Sequence, residues 1–251
     1  MTAPSDEPRR PSALLARVAG LSLVLPAHNE SENLLWLLPR VREVLSDLAE
    51  EFEVIVVDDG STDGTGDVAR RVSGELGMRC SVVRHERKSG YGITVGDGLA
   101  VAALPCVAFI DADGQLDPAD LSRLLPLLAD HDLVAGWRTT REDPAFRSVI
   151  SAVFNRLVLL AFRLHVRDVN CAIKVIRRDA LQGLLPLQAH SALINAELYW
   201  GVRARGGSFA QVPVSHHPRR MGRRSGGRLV PILRATKELV TLRLRLARRR
   251  R

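Results

Sequence analysis

Two acidic motifs in the sequence carry side chains that could bind a divalent cation. Asp111 and Asp113 stand two residues apart, directly after the apolar run Val107–Ile110, and Gln115 follows them. An Asp-x-Asp pair on a turn can direct two carboxylates at one ion, and oxygen ligands suit Mg²⁺ or Mn²⁺ better than zinc. The same residue types also favour turns and caps after a strand. Taken alone, this motif leaves both interpretations open.

The second acidic motif, Asp58-Asp59-Gly60-Ser61, follows another apolar run, Val54–Val57. Its simplest interpretation is again a turn between a strand and a helix. Two acidic strand ends in one parallel sheet bring like charges together, which is unfavourable unless a cation or hydrogen-bond donors compensate. The two motifs together therefore favour the cation site. The spacing of Gly90, Gly92 and Gly96 does not match the G-x-G-x-x-G of dinucleotide-binding dehydrogenases, so we set that function aside.

The elements that must position these side chains alternate between strands and helices. Apolar runs typical of buried strands lie at Leu21–Leu25, Val54–Val57, Val82–Val83, Val107–Ile110 and Leu133–Ala135, with helical patterns between them. This alternation predicts an α/β fold with a single, mostly parallel twisted sheet flanked by helices. Ligands of such sheets bind at the carboxyl ends of the strands, where both acidic motifs lie.

Local signals also predict where individual helices begin and bend. Between positions 34 and 48 apolar residues recur with the 3.6-residue spacing of a one-sided helix. Asn29 and Glu32 have the spacing of a capping box at its start, and Pro39 inside it predicts a kink or a break. Further along the chain, Asp117 and Pro118 are expected at the N-cap and first position of another helix.

Composition excludes several classes of protein. The 251 residues are 46% hydrophobic and 25% charged, which is typical of a globular chain and not of a disordered or fibrous one. Cys80, Cys106 and Cys171 show no paired spacing, so neither disulfides nor a cysteine zinc site are expected, and the compartment is predicted to be reducing and cytosolic. No run reaches the 18 to 20 apolar residues, roughly, that a membrane-spanning helix needs.

The charge distribution is strongly asymmetric. The net charge is +8, but residues 219–251 carry 13 Lys or Arg and one acid, which leaves −4 for the rest of the chain. A basic segment with interspersed leucines is typical of a helix that binds an anionic membrane surface, although a solvated helix end with a disordered arginine tail has the same pattern. The apolar stretch Val149–Val166 is similarly open to two interpretations, a core helix or a surface that touches lipid.

Four segments of the chain resemble family 2 glycosyltransferases, and within them the dolichol- or polyprenol-phosphate mannose and glucose synthases. They are Leu21–Glu30, Val54–Gly64, Val107–Pro118 and Arg167–Lys174, and the resemblance extends over residues 20–225. It implies a GT-A fold and an inverting, metal-dependent transfer of a hexose to a lipid phosphate. With the polar, proline-rich start and the basic C-terminal segment, it predicts a flexible leader at 1–18, a catalytic domain at 19–225 and a basic amphipathic extension at 226–251.

The same resemblance assigns roles to individual residues. Asp111, Asp113 and Arg138 are implied to be catalytic, with Asp111, Asp113 and Gln115 as ligands of Mg²⁺ or Mn²⁺, and Arg138, Arg147 and Ser151 at the acceptor phosphate. The implied donor-binding residues are Pro26, His28, Glu30, Val57, Asp59, Asp111, Ala112, Asp113, Arg219 and Arg224. The family commonly has Tyr at the position of His28, and it often has a Ser-Lys pair after the arginine at position 219, where this chain has no lysine.

Some polar residues in the second half of the chain have two interpretations each. Glu197 lies near the position where other family members keep a catalytic base, and we interpret it as structural or as support for the acceptor loop. Asp168 and Asn170 are predicted to organise the acceptor side or to form loop hydrogen bonds. His216 and His217 either end a strand or contact the donor.

The predicted function is transfer of mannose or glucose from a GDP- or UDP-sugar to a polyprenyl or dolichyl phosphate, by a peripheral protein at the cytoplasmic face of the membrane. The alternative within the family is a soluble transferase acting on a small metabolite or a polysaccharide. A nucleic-acid-binding protein is not expected, because aromatic residues make up only 4% of the chain and no recognition motif is present. A sugar-nucleotide sensor without transferase activity is the remaining alternative.

Overall fold

A seven-stranded sheet forms the centre of the molecule. The structure, a computed structural model, describes residues 17–139, 156–219 and 238–246. The strands are β1 Val18–Ala27, β2 Ala49–Asp58, β3 Cys80–Arg84, β4 Cys106–Phe109, β5 Leu133–Arg138, β6 Lys174–Arg177 and β7 Phe209–Val214. Their order is β3-β2-β1-β4-β6-β5-β7. Only β6 runs antiparallel to its neighbours among these described strands, which confirms the predicted single, mostly parallel sheet.

Helices cover both faces of this sheet. They are α1 Ser31–Leu48, α2 Thr65–Glu75, α3 Tyr91–Val101, α4 Leu121–Leu124, α5 at residues 156–162, α6 Arg178–Gln182, α7 Ile194–Ala204 and α8 at residues 238–246. Helices α1, α2 and α4 pack on one apolar core, and α3, α5, α6, α7 and α8 pack on the other. Because the central strands are buried on both faces, their central parts are largely apolar, and this is why the runs were visible in the sequence.

The predicted capping box at the start of α1 and the predicted break at Pro39 are both absent; a kink at Pro39 stays a prediction. The capping box does not form, since the N-cap is Glu30 and makes no side-chain capping bond, while the Asn29 side chain accepts a hydrogen bond from the amide of Thr62 at 2.9 Å. The helix also continues through Pro39 without a break. Pro39 and Leu35, whose carbonyl loses its intrahelical donor, are both exposed, so water can solvate that carbonyl.

Strands β6 and β7 lie beyond the last strand that the apolar runs predicted. Strand β6 inserts between β4 and β5, and Lys174, the end of the fourth family segment, is its first residue. The alternating pattern of the first half of the chain could not predict this antiparallel insertion, because its partners are about 70 and 40 residues distant in the chain.

Helix α8, which belongs to the predicted C-terminal extension, packs against the domain. Its buried residues Leu239, Leu242 and Leu246 join the second core. At its start, the Glu238 carboxylate accepts hydrogen bonds from the amides of His190 at 2.6 Å and Ser191 at 3.1 Å. This part of the extension is thus anchored by apolar and polar contacts.

Candidate active site

A cleft of about 150 Å³ opens at the carboxyl ends of β1, β2 and β4. Parallel strands bring their carboxyl ends to one edge of the sheet, so the residues that follow each strand meet there. The lining consists of Pro26, Ala27, His28, Glu30, Asp59, Lys88, Tyr91, Thr94, Asp111, Ala112, Asp113 and Arg219. Eight of these were predicted as donor-binding residues, so the structure brings most of that set together.

Asp111 lies at the floor of the cleft with one carboxylate oxygen unsatisfied. Its Oδ1 atom is buried and has no hydrogen-bond partner among the described residues. Burial, followed by the charge of Asp113, raises the pKa of Asp111 to about 7, although the nearby Tyr91 hydroxyl lowers the pKa of the carboxyl in part. Such a carboxylate gains most from a cation placed between the two aspartates.

Asp113 offers its second oxygen to the cleft. One oxygen, Oδ1, accepts a hydrogen bond from the backbone of Gln115 at 3.1 Å, which holds the turn. The other, Oδ2, lies 3.7 Å from the guanidinium of Arg219. The segment from Asp111 to Gln115 therefore forms a turn after β4, and it also directs carboxylate oxygens into the cleft.

The donor set fits a divalent cation that takes its remaining ligands from substrate and water. The described residues contain no group of three or more His, Cys, Asp or Glu side chains that could enclose a metal, so Asp111 and Asp113 would be its acidic ligands. The predicted third ligand, Gln115, is not part of the lining. Its side-chain amide donates to the carbonyl of His217 at 3.3 Å, and its role as a metal ligand stays a prediction.

Arg219 lies over the acidic end of the cleft. It forms an ion pair with Glu30, whose other oxygen accepts a 2.6 Å hydrogen bond from Asn33. Burial raises the pKa of Glu30, and the contacts with Asn33 and Arg219 oppose this rise only in part. A guanidinium in this position can donate to phosphate oxygens that enter the cleft.

Asp59 organises the opposite side of the cleft. Its carboxylate accepts hydrogen bonds from the amides of Ser89 at 2.7 Å and Gly90 at 3.2 Å, and lies 3.0 Å from Nδ1 of His85. Burial raises the pKa of Asp59, but these three contacts outweigh burial and hold the pKa below its ordinary value. The Asp59 carbonyl lies 2.8 Å from Nδ1 of His28, which orients that ring.

The loop between β3 and α3 supplies cleft residues that sequence reasoning missed. Lys88 and Tyr91 line the cleft, and His85 supports Asp59 from beneath. The nearest signal was the Gly90-x-Gly92 spacing, which we used only to exclude a dinucleotide site. In the structure Gly92 lets the start of α3 approach the 189–191 backbone, because a Cβ there would lie 2.3 Å from the Ala189 carbonyl oxygen.

Arg138 is held in a fixed orientation beside the cleft. Asp168 accepts two hydrogen bonds from its guanidinium, at 2.7 and 3.1 Å. Burial lowers the pKa of Arg138, and the pairing with Asp168 outweighs it, so that the pKa is raised. Gln211 on β7 in turn binds the loop of Asp168, donating to the Asp168 carbonyl at 3.1 Å and accepting from the Arg167 amide at 2.7 Å. The predicted organising role of Asp168 thus has a geometry that supports it.

Lys174 is a fully buried lysine that the sequence reasoning did not single out. It donates to the carbonyls of Val169, at 3.3 Å, and Cys171, and to Oδ1 of Asn195 at 2.6 Å. Burial lowers its pKa to about 8. Its position at the end of the Arg167–Lys174 segment was the available signal. These bonds connect β6 to the loop that carries Asp168.

The structure favours a structural role for Glu197. Its buried carboxylate accepts hydrogen bonds from the amides of Gln188, at 2.8 and 2.9 Å, and Ala189, at 2.8 Å.

Two further residues considered in the sequence lie apart from the donor cleft or support it through the backbone. Val57 is fully buried in the second core and its side chain does not line the cleft. The amide of His217 donates to the Gln115 carbonyl at 2.7 Å, so this part of the chain is tied to the acidic turn.

Three predicted site residues lie outside the described residues. They are Arg147, Ser151 and Arg224, and their placement at the acceptor or donor stays a prediction.

The fold of the molecule is the GT-A fold. A crystal structure of glucosyl-3-phosphoglycerate synthase from Mycobacterium tuberculosis, in complex with Mn²⁺, UDP-glucose and phosphoglyceric acid, superposes with a TM-score of 0.69 and 23% identity. The match covers 91% of this chain and 79% of that one. At 23% identity, this structural likeness shows that the two proteins share a fold.

Sequence comparison specifies the family. Residues 22–185 match the family described as glycosyl transferase family 2, and the chain belongs to it. An undecaprenyl-phosphate 4-deoxy-4-formamido-L-arabinose transferase of Aeromonas hydrophila is 31% identical over 69% of this chain and 54% of its own length. A dodecaprenyl-phosphate galacturonate synthase of Rhizobium johnstonii is 30% identical over 80% of this chain and 60% of its own length.

These comparisons confirm the predicted family, and the two named relatives act on undecaprenyl and dodecaprenyl phosphate by name. Neither of the two named relatives is a mannose or glucose synthase. The chain spans little more than half the length of these relatives. Within the part of the chain that the structure describes, no helix combines the length and the hydropathy needed to cross a bilayer.

Proposed function

We propose that the chain transfers a sugar from a nucleoside-diphosphate sugar to a polyprenyl phosphate, with inversion at the anomeric carbon. The observation that carries this proposal is the cleft itself, which Asp111, Asp113 and Arg219 line together, with Asp113 3.7 Å from Arg219 and the clamped Arg138 beside them. Carboxylates that suit a cation, beside arginines that suit phosphate, are what a diphosphate donor and a phosphate acceptor require. The names of both relatives add the polyprenyl phosphate.

On the donor side, the chain's residues bind and orient the nucleotide. Pro26, His28 and Asp59 would contact the base and ribose, and Arg219 would exchange its contacts with Glu30 and Asp113 for the diphosphate oxygens. Asp111 and Asp113 would hold Mg²⁺ or Mn²⁺ beside the same phosphates. Such an ion, when bound, neutralises the charge that develops on the leaving nucleoside diphosphate.

On the acceptor side, the chain's task is positioning. A lipid phosphate is already an anion at neutral pH, so its attack on the anomeric carbon needs no strong general base, and the engaged carboxylate of Glu197 is consistent with this. Arg138, fixed by Asp168, would align the acceptor phosphate opposite the leaving group, with Arg147 and Ser151 completing the cradle. Alignment and electrostatic stabilisation would supply the rate enhancement.

We extend the proposal to the sugar and to the location of the protein. The donor is proposed to be a GDP- or UDP-hexose, with mannose or glucose as the first sugars to test, and the protein is proposed to act as a peripheral protein at the cytoplasmic membrane face. Exposed apolar side chains on α5 and α8 support membrane contact. They are Leu157 and Leu160 on α5, at 45% and 64% exposure, and Val240 and Leu244 on α8, at 57% and 59%.

Release of nucleotide from a panel of UDP- and GDP-sugars tests the proposal, with and without polyprenyl phosphate, in Mn²⁺ or Mg²⁺ and in EDTA. We expect release to require one donor, the lipid phosphate and the metal. Asp113→Asn should lower the rate about 100-fold or more, because a cation ligand at the leaving group is lost. Asp67→Asn, which alters only an exposed ion pair on α2, should leave the rate unchanged.

Other outcomes of this assay would point elsewhere. Release that depends on a phosphorylated metabolite and ignores the lipid would support the soluble alternative within the family. Donor binding by the folded protein without transfer to any acceptor would support a sensor. Equal rates for Asp113→Asn and Asp67→Asn would contradict the proposed role of the acidic pair.

A further inference from the structure

An open groove of about 1160 Å³ lies outside the cleft, between α5 and the edge strand β7. Small-molecule pockets measure about 300 to 1,000 Å³, so this groove is large enough for an extended ligand. One wall is formed by α5 and the residues after it, including Leu160 and Leu164, and the other by β7, including Phe209 and Pro213. No part of the proposed donor chemistry uses it.

The groove has an apolar interior and basic groups along it. Trp137, Leu159, Leu160, Leu164, Val166, Phe209 and Pro213 supply apolar surface, and the charged or titratable residues among its described lining are Arg156, Arg163, His165 and Arg167. No acidic side chain occurs in that described lining. A ligand that combines a long hydrocarbon chain with an anionic head is complementary to this distribution, whereas a nucleotide would need more polar partners for its base and ribose.

One end of the groove lies next to the proposed acceptor site. Trp137 and Arg167 line the groove, with the Arg167 guanidinium 4.7 Å from the centre of the Trp137 ring. Gln211 contributes to the groove lining and also hydrogen-bonds to the carbonyl of Asp168, the residue that clamps Arg138. Through Gln211 the groove therefore adjoins the loop that holds Arg138, and a chain lying in the groove would begin near that loop.

We propose that this groove binds the isoprenoid chain of the acceptor lipid, and that Leu160 is one of its contacts. The proposal rests on the proposed function, since it assigns a place to the hydrocarbon part of the same acceptor. It predicts that the protein distinguishes prenyl phosphates by chain length. A short prenyl phosphate would reach Arg138 but fill little of the groove.

Direct binding tests this without relying on transfer. In the full chain with Trp36→Phe and Trp200→Phe, Trp137 is the remaining tryptophan, and its fluorescence reports on the groove. In detergent solution we expect undecaprenyl phosphate to change this fluorescence at lower concentrations than citronellyl phosphate does. Leu160→Gln should weaken binding of the long lipid about five- to tenfold, as expected for loss of one leucine contact, with little effect on the short one.

Leu35→Gln is the matched control. Leu35 is exposed on α1, at the opposite face of the sheet, and does not line the groove. This variant should bind both lipids like the parent protein. Equal affinities for long and short prenyl phosphates, or equal effects of Leu35→Gln and Leu160→Gln, would overturn the proposal.

Transfer assays separate this proposal from the proposed function. If the long lipid binds as expected but receives no sugar from any donor, the groove assignment stands and the proposed function fails. If transfer to polyprenyl phosphate occurs with the same preference for chain length in Leu160→Gln as in the parent protein, the proposed function stands and the groove assignment fails.

Discussion

Asp111 and Asp113 have different environments although only Ala112 separates them. Asp111 lies two residues after β4 and its Oδ1 atom is buried without a partner among the described residues, whereas the Asp113 side chain is 18% exposed and reaches the guanidinium of Arg219. The enclosed carboxylate has a strong need for a positive partner, and the accessible one can meet a ligand that enters from outside. Two aspartates of identical chemistry are thus suited to one ion bound at the floor of an open cleft.

The environment of Asp111 makes a prediction about pH. Burial and the Asp113 charge raise its pKa to about 7, so below this pH the metal-free protein carries a proton that a cation must displace. The apparent affinity for Mn²⁺ should therefore rise by about tenfold per pH unit up to about pH 7 and level off above it. Calorimetric titration with Mn²⁺ across this range measures the slope.

The matched variant for this prediction is Asp111→Asn, which cannot carry the displaced proton. We expect weaker Mn²⁺ binding in this variant, without a rise in affinity towards pH 7. An affinity in the parent protein that is the same on both sides of pH 7 would show that Asp111 does not release a proton to the metal.

Among the elements, α3 is positioned by an unusually close approach to the sheet. A Cβ on Gly98 would lie 2.3 Å from Cγ1 of Val24 and 2.9 Å from Cγ2 of Val57. Since α3 begins at Tyr91, which lines the cleft, the packing at Gly98 also sets the position of the cleft wall. Gly98 is required here because a side chain would clash with the sheet. Its φ does not lie in the left-handed region, so backbone conformation is not the reason.

Two glycine substitutions test this packing. Gly98→Ala should lower the free energy of unfolding by about 1–3 kcal/mol, because the methyl group overpacks the helix–sheet interface. Gly74→Ala in α2, where a Cβ meets no atom within 4 Å, should raise it by up to about 1 kcal/mol through helix propensity. Urea denaturation measures both, and equal stability of the two variants would contradict the assigned role of Gly98.

At the scale of the whole molecule, charge and apolar exposure are distributed unevenly. The basic residues concentrate in 219–251, and α8 within that region exposes Val240 and Leu244. Helix α8 is linked to α5 by a 3.0 Å hydrogen bond from Arg243 to the Ala161 carbonyl. Apolar side chains amid arginines are complementary to an anionic bilayer surface, and both helices lie on the same face of the sheet.

Vesicle binding tests this surface. The protein should sediment with vesicles that contain anionic phospholipid and less with zwitterionic ones, and binding should weaken as salt rises. Leu244→Gln should reduce binding about fivefold, as expected for one partly inserted apolar side chain. Leu35→Gln alters a leucine of similar exposure, 50%, on α1 at the opposite face of the sheet. It serves as the control, and equal binding of the two variants would exclude α8 as the docking helix.

The sequence by itself determined the parts of this protein that depend on neighbouring residues. The apolar runs that became β1, β2 and β4, and the acidic motifs after β2 and β4, follow from the burial of parallel strands and from the turn chemistry at their ends. Because parallel strands end at one edge, the meeting of Asp59, Asp111 and Asp113 could also be anticipated. The family resemblance extended this to Arg138 and Arg219.

Only the tertiary structure decided which distant residues complete the site. Arg219 meets Glu30 across 189 residues of chain, Arg138 meets Asp168 across 30, and the support of Asp59 by His85 depends on the loop after β3. The antiparallel insertion of β6, which buries Lys174, also depends on contacts between distant parts of the chain. So does the groove beside β7. Contacts of this kind depend on how elements pack and not on local periodicity, so no spacing in the sequence encodes them.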